Sequence, residues 1–412
     1  MFESLPPILG ELRSLYEDLH ANPELSFQEH RTSALLADGL AGLGYDVTTG
    51  VGYTGVVATL ANGEGPTVML RADIDALPVQ EKTGLPYAST VRATDAQRVD
   101  VPVMHACGHD MHATWLIGAA TLLAATRSAW SGTVVLVVQP AEEVLAGAAA
   151  MISDDLFERF GVPDVVLGQH VTPAPAGTVA YRSGPVMSAS DSLSIVLHGR
   201  GAHGSTPEQS VDPVVMAAST VMRLQTVVSR ELGADEAAVV TVGTLHAGTK
   251  ENIIADRADL ALSVRTYDPQ VRERVLAAIT RIVQGEAQAA GAPREPEIAM
   301  TISGPAVTND ADATAQVANA FVAHFGAERA AEGPRTPASE DFGLYGDRSG
   351  APSVFWFVGG TDPTLYARAL AEGRVAEDVA FNHSPHFAPV QDPTIATGVE
   401  AMVVAALGWL AT

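Results

Sequence analysis

Two Gly-Pro pairs, Gly184-Pro185 and Gly304-Pro305, bracket a change of rhythm in this 412-residue chain. Outside them, short apolar β-branched runs alternate with helical patterns, the signature of an α/β fold. Strands of buried type are expected at 56–60, 68–72, 134–138, 165–167 and 354–357, and helices over 111–125, 145–160 and 309–325. Asp392-Pro393 supplies an N-cap and first-turn proline for a last apolar helix ending near Leu410. Between the pairs the order is β-α-β-β-α-β. Strands fall at 192–198, 238–242, 253–264 and 296–302, with one helix capped by Asp212-Pro213 and another over 271–290. In the first of these helices Val214, Ala218, Val221, Leu224 and Val228 step by three and four, which predicts the buried stripe. The simplest parse is a large α/β domain with a central mixed sheet, in two pieces (1–185 and 305–412), interrupted by an inserted α+β, ferredoxin-like domain at 186–304.

Composition excludes several function classes. With 24 basic and 48 acidic residues the formal charge is −24, and the only lysines are Lys82 and Lys250. Such a surface repels a phosphate backbone, so nucleic acid is not expected as a partner. No window reaches the roughly 18 uninterrupted apolar residues of a membrane span, and the first residues lack a basic start before an apolar run. A single cysteine forms no internal disulfide, which makes the cytoplasm the default setting.

That cysteine stands in His105-Ala-Cys107-Gly-His109-Asp110-Met-His112, with three of the twelve histidines in eight residues. A buried free cysteine is usually a packing residue. The crowding of soft and borderline donors here points instead to a divalent metal, with Gly108 letting Cys107 and His109 reach one centre. Glu142-Glu143 follows the strand at 134–138 directly, where α/β folds place active sites, although such pairs also suit helix first turns. His170 ends another strand, and His383 lies in a loop before the last helix. Together these donors suit two metals. Asp73 and Asp75 close a buried strand; turn chemistry or support of a ligand are their readings.

Other motifs fail on context. Gly199-Arg-Gly-Ala-His203-Gly204 has the letters of a dinucleotide fingerprint, but no helix begins at its glycines. It is read as a loop presenting His203. The stretch from Gly243 to Lys250 nearly spells a phosphate loop, with Thr249 displacing the lysine. There is no His-Glu-x-x-His and no Gly-x-Ser-x-Gly.

Taken in order, the cluster from His105 to His112, Gln-Pro-Ala-Glu142-Glu143, Gly-Gln-His170, Gly201-Ala-His203-Gly-Ser, Asn252-Ile-Ile, Ser339-Glu340-Asp341-Phe342 and Asn382-His383-Ser resemble the dimetal aminoacylase and carboxypeptidase family. The likeness is specifically to its hippurate hydrolase and auxin-conjugate hydrolase branch. His20-Ala-Asn-Pro23-Glu24-Leu-Ser-Phe-Gln-Glu29-His and Ala72-Asp73-Ile-Asp75-Ala-Leu-Pro78 match as well.

The resemblance implies a metal-dependent amidohydrolase that splits N-acyl amino acids. Cys107, His109, Glu143, His170 and His383 would ligate two divalent ions and Glu142 would be the general base. It implies that the inserted domain is a lid and a homodimer interface, that His203 donates to the oxyanion of a partner's site, and that Asn252 and Arg265 bind the substrate carboxylate. Without that resemblance, an edge-strand arginine in solvent is an equal reading of Arg265. Many relatives outside this branch carry His-x-Asp in place of Asp73-Ile-Asp75, and Asp in place of His109. That leaves the metal open: zinc first from the thiolate, with manganese, cobalt or nickel as alternatives. His105 and His112 are then structural or supporting, and residues between Gly359 and Asn382, Tyr366 among them, are loop candidates for the acyl side. A dipeptidase or carboxypeptidase is the alternative within the family. A dinucleotide-dependent oxidoreductase and a non-catalytic metal binder are the alternatives outside it.

Overall fold

The computed structural model describes residues 2–410. The chain divides into two compact units. One comprises the chain up to Val186, Thr308–Arg335 and the chain from Asp341 on; the other comprises Met187–Val307 and Thr336–Glu340.

The first unit is built on an eight-stranded mixed sheet, in the order Asp46–Val51, Gly55–Asn62, Gly132–Gln139, Thr67–Asp73, Val165–Pro175, Ser353–Thr361, Val179–Tyr181, Ala330–Glu332. From Gly132–Gln139 to Ser353–Thr361 the four inner strands run parallel. Their Val/Leu-rich runs are buried on both faces, as parallel strands covered by helices must be. Asp73 and Gln139 end their strands opposite each other, with Arg71 opposite Gly168 and His170 opposite Phe357. His170 was expected to end a strand at 165–167, but the pairing with Ser353–Thr361 carries that strand on to Pro175.

Helices His109–Ala125 and Gln391–Leu410 are apolar all round because both are core helices. Gln391–Leu410, which holds an 18-residue stretch of mean hydropathy 1.4, is long and apolar enough to cross a membrane by length and composition. Most of it is buried in this unit, against helix His109–Ala125. Gly398 marks how close the two approach: a Cβ there would stand 2.1 Å from the Trp115 ring. The indole N–H of Trp115 donates to Thr394 O at 3.0 Å. Overpacking of this kind costs about 1–3 kcal/mol.

One expected helix is broken. The stretch 145–160 forms Gly147–Ser153 and Leu156–Phe160, with Asp155 left-handed (φ 58°) between them. The region expected to be loop between Gly359 and Asn382 contains the helix Pro363–Ala371, which carries Tyr366.

The second unit is a four-stranded antiparallel sheet, in the order Ala238–Ala247, Arg257–Thr266, Ala189–His198, Glu297–Gly304. Helices Pro213–Glu231 and Pro269–Ala289 cover its core of Leu193, Ile195, Leu260, Leu262, Val275 and Ile279. Asp212 and Asp268 cap these helices, each accepting from an N–H two residues on. The strand expected over 253–264 is split into Ile253–Ile254 and Arg257–Thr266. The predicted stripe of the first helix is also rotated. Met216, Ala217, Thr220, Leu224 and Val227 are buried, whereas Val214 and Val228 are exposed with Val215 and Met222. Both faces carry apolar residues, so periodicity alone did not distinguish them.

Candidate metal centre

The cluster sits at the carboxyl ends of the parallel strands, where α/β sheets open toward ligands. Gly108 is left-handed (φ 87°) and caps helix His109–Ala125. A Cβ at Gly108 would come within 2.4 Å of Val171 Cγ1, so glycine is required there on two counts. The turn brings Cys107 and His109 to one point. Cys107 Sγ lies 3.5 Å from His170 Nε2. His170 donates its Nδ1–H to the Val171 carbonyl at 2.7 Å, which leaves Nε2 as an inward lone pair. His109 Nδ1 is 3.2 Å from Asp75 Oδ1, and its Nε2 stands 3.8 Å from both Glu142 Oε2 and Glu143 Oε1. His383 Nε2 approaches Glu143 Oε2 at 3.5 Å. The loop carrying His383 is pinned by its own N–H to Ala106 O at 2.7 Å and by Asn382 Nδ2 to the carbonyls of Cys107 and Val171.

Three triads of these residues result, Cys107/His109/His170, Cys107/Glu143/His383 and His109/Glu142/Glu143, each with donor atoms within 4.8 Å of one another; Asp73, His109 and His112 form a further one, in which Asp73 and His112 are bonded to each other. The structure thus brings together all five expected ligands and Glu142. Among the described residues, His109 Nε2 and Glu143 Oε1 are buried without a hydrogen-bond partner. Buried polar atoms with no partner call for an ion or water.

The electrostatics point the same way. Burial, with the charge of Asp75, pushes the Glu143 carboxyl up to about 7. Burial and the charge of Glu143 raise the Cys107 thiol. Burial lowers His109, but the charge of Asp73 and the bond to Asp75 outweigh it and hold the ring well above its ordinary value. Bound among these donors, a divalent cation would take the place of those protons. One sulfur, three imidazoles and two carboxylates fit two such ions.

Residues 69–401 match the model of Peptidase family M20/M25/M40. The chain belongs to this family. It is 40% identical over 348 residues to the hippurate hydrolase of Campylobacter jejuni, covering 83% of this chain and 87% of that protein. It is 38% identical over 302 residues to thermostable carboxypeptidase 2 of Saccharolobus solfataricus, covering 71% and 74%. Among solved structures, Bacillus subtilis YxeP, a dinuclear metal-binding peptidase of the M20 family, superposes with a TM-score of 0.77 at 30% identity, covering 98% of this chain and 99% of that one.

In this M20 chain, His112 is not available to a metal. Its Nδ1 bonds Asp73 Oδ1 at 2.5 Å, and its Nε2 accepts the Val171 N–H at 2.9 Å. Asp73 is in turn tied to Arg71, within a buried network of Arg71, Gln139, Asp341 and Tyr345. His105 is buried, and burial lowers it to about 4, which makes it neutral. Asp75 has the largest supporting role. Besides facing His109, it accepts from the Glu142 and Glu143 backbone N–H groups at 3.0 Å each and from Ser26 Oγ at 2.7 Å. Asp73-Ile-Asp75 places both carboxylates at one strand end, which was legible in the sequence; their partners were not.

The remaining predicted residues lie in the second unit. His203 is exposed, and its Nδ1 accepts from the Ser205 N–H and hydroxyl at 3.1 and 2.7 Å. The neutral ring therefore carries its proton on Nε2. His203 and Asn252 line one open cleft with His246 and Lys250. Arg265 is on an inner strand, paired with Ser190 on one side and Val239 on the other, so the edge-strand reading fails. Its guanidinium bonds Ser339 Oγ at 3.0 Å and, among the described residues, has no carboxylate within ion-pair distance.

Proposed function

We propose that this M20 enzyme hydrolyses the amide bond of N-acyl amino acids, consuming one water and releasing a carboxylic acid and the free amino acid. The observation that carries this reading is the Glu142-Glu143 turn. Its two carboxylates stand equally far from His109 Nε2, so one can serve a cation while the other serves a water.

Cys107, His109, Glu143, His170 and His383 would hold two divalent cations, zinc in first place for the thiolate, with manganese, cobalt or nickel as alternatives. When bound, such ions supply the Lewis acidity that allows a water to lose its proton near neutral pH. Glu142 takes that proton and passes it to the departing amine nitrogen, the work of a general base turned general acid. Asp75 holds the two backbone N–H groups that set the direction of Glu142. His203 offers its Nε2–H to the oxyanion of the tetrahedral species. Arg265 and Asn252 receive the carboxylate of the amino acid, for which a half-buried guanidinium with no carboxylate at ion-pair distance among the described residues is suited.

A homodimer through the second unit is part of the proposal, with His203 acting in the partner's site. Strand Ala238–Ala247 is a sheet edge, with Val239 51% and Leu245 41% exposed; helix Pro213–Glu231, which packs on it, exposes Val215 at 65% and Met222 at 72%. Apolar groups on an unpaired edge invite a second copy. A cytoplasmic setting fits a chain with one free cysteine. A dipeptidase or carboxypeptidase is the second reading, favoured by the likeness to a carboxypeptidase. Paired assays decide between them: the metal-loaded enzyme should turn over N-acetyl or N-benzoyl amino acids faster than matching dipeptides. The reverse preference would favour the peptidase reading, and turnover insensitive to chelation would overturn both.

A further inference from the structure

Three successive backbone N–H groups, those of Ala141, Glu142 and Glu143, are each held by a buried carboxylate from elsewhere in the chain. Asp75 takes the last two. Ala141 donates to Glu29 Oε1 at 2.9 Å, from a residue 112 positions upstream. Glu29 is fully buried. The same oxygen accepts the Phe27 N–H at 2.9 Å, and Oε2 accepts the Thr54 hydroxyl at 2.5 Å. Ala141 itself is left-handed (φ 51°), a conformation that a residue with a Cβ keeps only where its surroundings enforce it. On its other side, the Ala141 carbonyl accepts from Ala146 and Gly147.

We propose that Glu29 is a positioning residue for the reaction: by holding the Ala141 N–H it locks the left-handed turn and thereby aims the Glu142 carboxylate. This rests on the reading of Glu142 as the base. The role belongs to the hydrogen bond and not to the charge. Burial, then the charge of Asp75, raises the Glu29 carboxyl to about 7. A proton on Oε2 leaves Oε1 accepting, because the Thr54 hydroxyl can turn and accept in its place. Glutamine offers the same pattern, with its NH2 toward Thr54 and its oxygen toward Ala141. Leucine offers neither and strands the buried Ala141 N–H and the part-buried Phe27 N–H.

The test uses the full-length, metal-loaded enzyme and its E29Q, E29L, T54V and E142Q variants, with kcat, KM, metal content and the pH profile of kcat measured on one N-acyl amino acid. E29Q should keep kcat within about threefold and superimpose on the wild-type pH profile. E29L should lose about 10- to 100-fold in kcat, with KM and metal content unchanged, as a misaimed base would. Wild-type kcat in E29L, a loss matched by lost metal, or an equal loss in E29Q would each overturn the proposal. If E29L does not fold, T54V decides: a severalfold loss of kcat at unchanged KM and metal content supports the proposal, and an unchanged kcat overturns it. E142Q separates the two readings. Retained turnover there sinks the base assignment and the positioning role with it. An inactive E142Q beside a fully active E29L sinks the positioning role alone.

Discussion

At the metal centre, the supporting side chains are buried and bonded more than once. Asp75 makes four contacts, to His109, Ser26 and two backbone N–H groups, and both ring nitrogens of His112 are taken. In the second unit, His203 and Asn252 are exposed, and the His203 ring is bonded to the nearby Ser205. The difference separates two ways of making a site. Donors for cations must converge before the ion arrives, so their directions are fixed by packing. A group that meets substrate or a second subunit is left free to do so.

Substitutions at the two regions should therefore fail differently. Glu142→Gln should lower kcat by about 10³-fold or more while metal content stays at its wild-type value; retained turnover would remove the distinction between Glu142 and Glu143. Cys107→Ala should abolish activity through lost metal, and chelation of the wild-type enzyme should lower its melting temperature and its activity together. Calorimetry of the metal-free and reloaded protein checks this. His203→Ala should cost about 10²-fold in kcat with no change in metal content or melting temperature. If His203 acts in a partner's site, mixing His203→Ala with Glu142→Gln subunits should restore roughly a quarter of wild-type activity, from the one complete site in each mixed dimer. No recovery on subunit exchange would confine His203 to its own chain. Arg265→Ala should raise KM about 10- to 100-fold and leave kcat nearly unchanged.

The smallest effect concerns how the ligand-bearing helix is anchored. His20 Nδ1 meets Asp110 Oδ2 at 2.6 Å and its Nε2 meets Glu81 Oε1 at 3.1 Å, all buried. Burial lowers His20, yet the bonds to Asp110 and Glu81 outweigh it and raise the ring from 6.5 to about 10. A pKa raised on folding adds stability that is complete below about pH 6.5 and is lost as pH rises through 10. His20→Gln should be less stable near pH 6, and its melting temperature should fall less between pH 7 and 10 than that of the wild type. A parallel pH dependence in the two proteins would show that His20 is not charged in the fold.

Much of the site was legible without coordinates because donor chemistry is written in residue type. Cys107, His109, Glu143 and His383 stand in a glycine turn, just past a strand end or in a loop, where local backbone rules already place functional groups, whereas His170 lies inside its strand and not at the end where the sequence put it. Glu29 was legible only as one letter of an N-terminal motif. No local pattern says that a carboxylate will meet a backbone N–H 112 residues away. The same limit hid the rotated face of helix Pro213–Glu231 and the break at Asp155, where tertiary packing chose between options that propensity left equal.

By itself, then, the sequence determined the alternating elements, the inserted β-α-β-β-α-β unit and the set of candidate metal donors, since hydrophobic period, capping residues and ligand chemistry are local properties. Only the tertiary structure decided which of those donors remain free. The supporting place expected of His112 is fixed by Asp73, 39 residues away, and by Val171, 59 residues away. The physical reason is that a buried polar atom bonds whatever the fold sets beside it, and those neighbours come from distant parts of the chain.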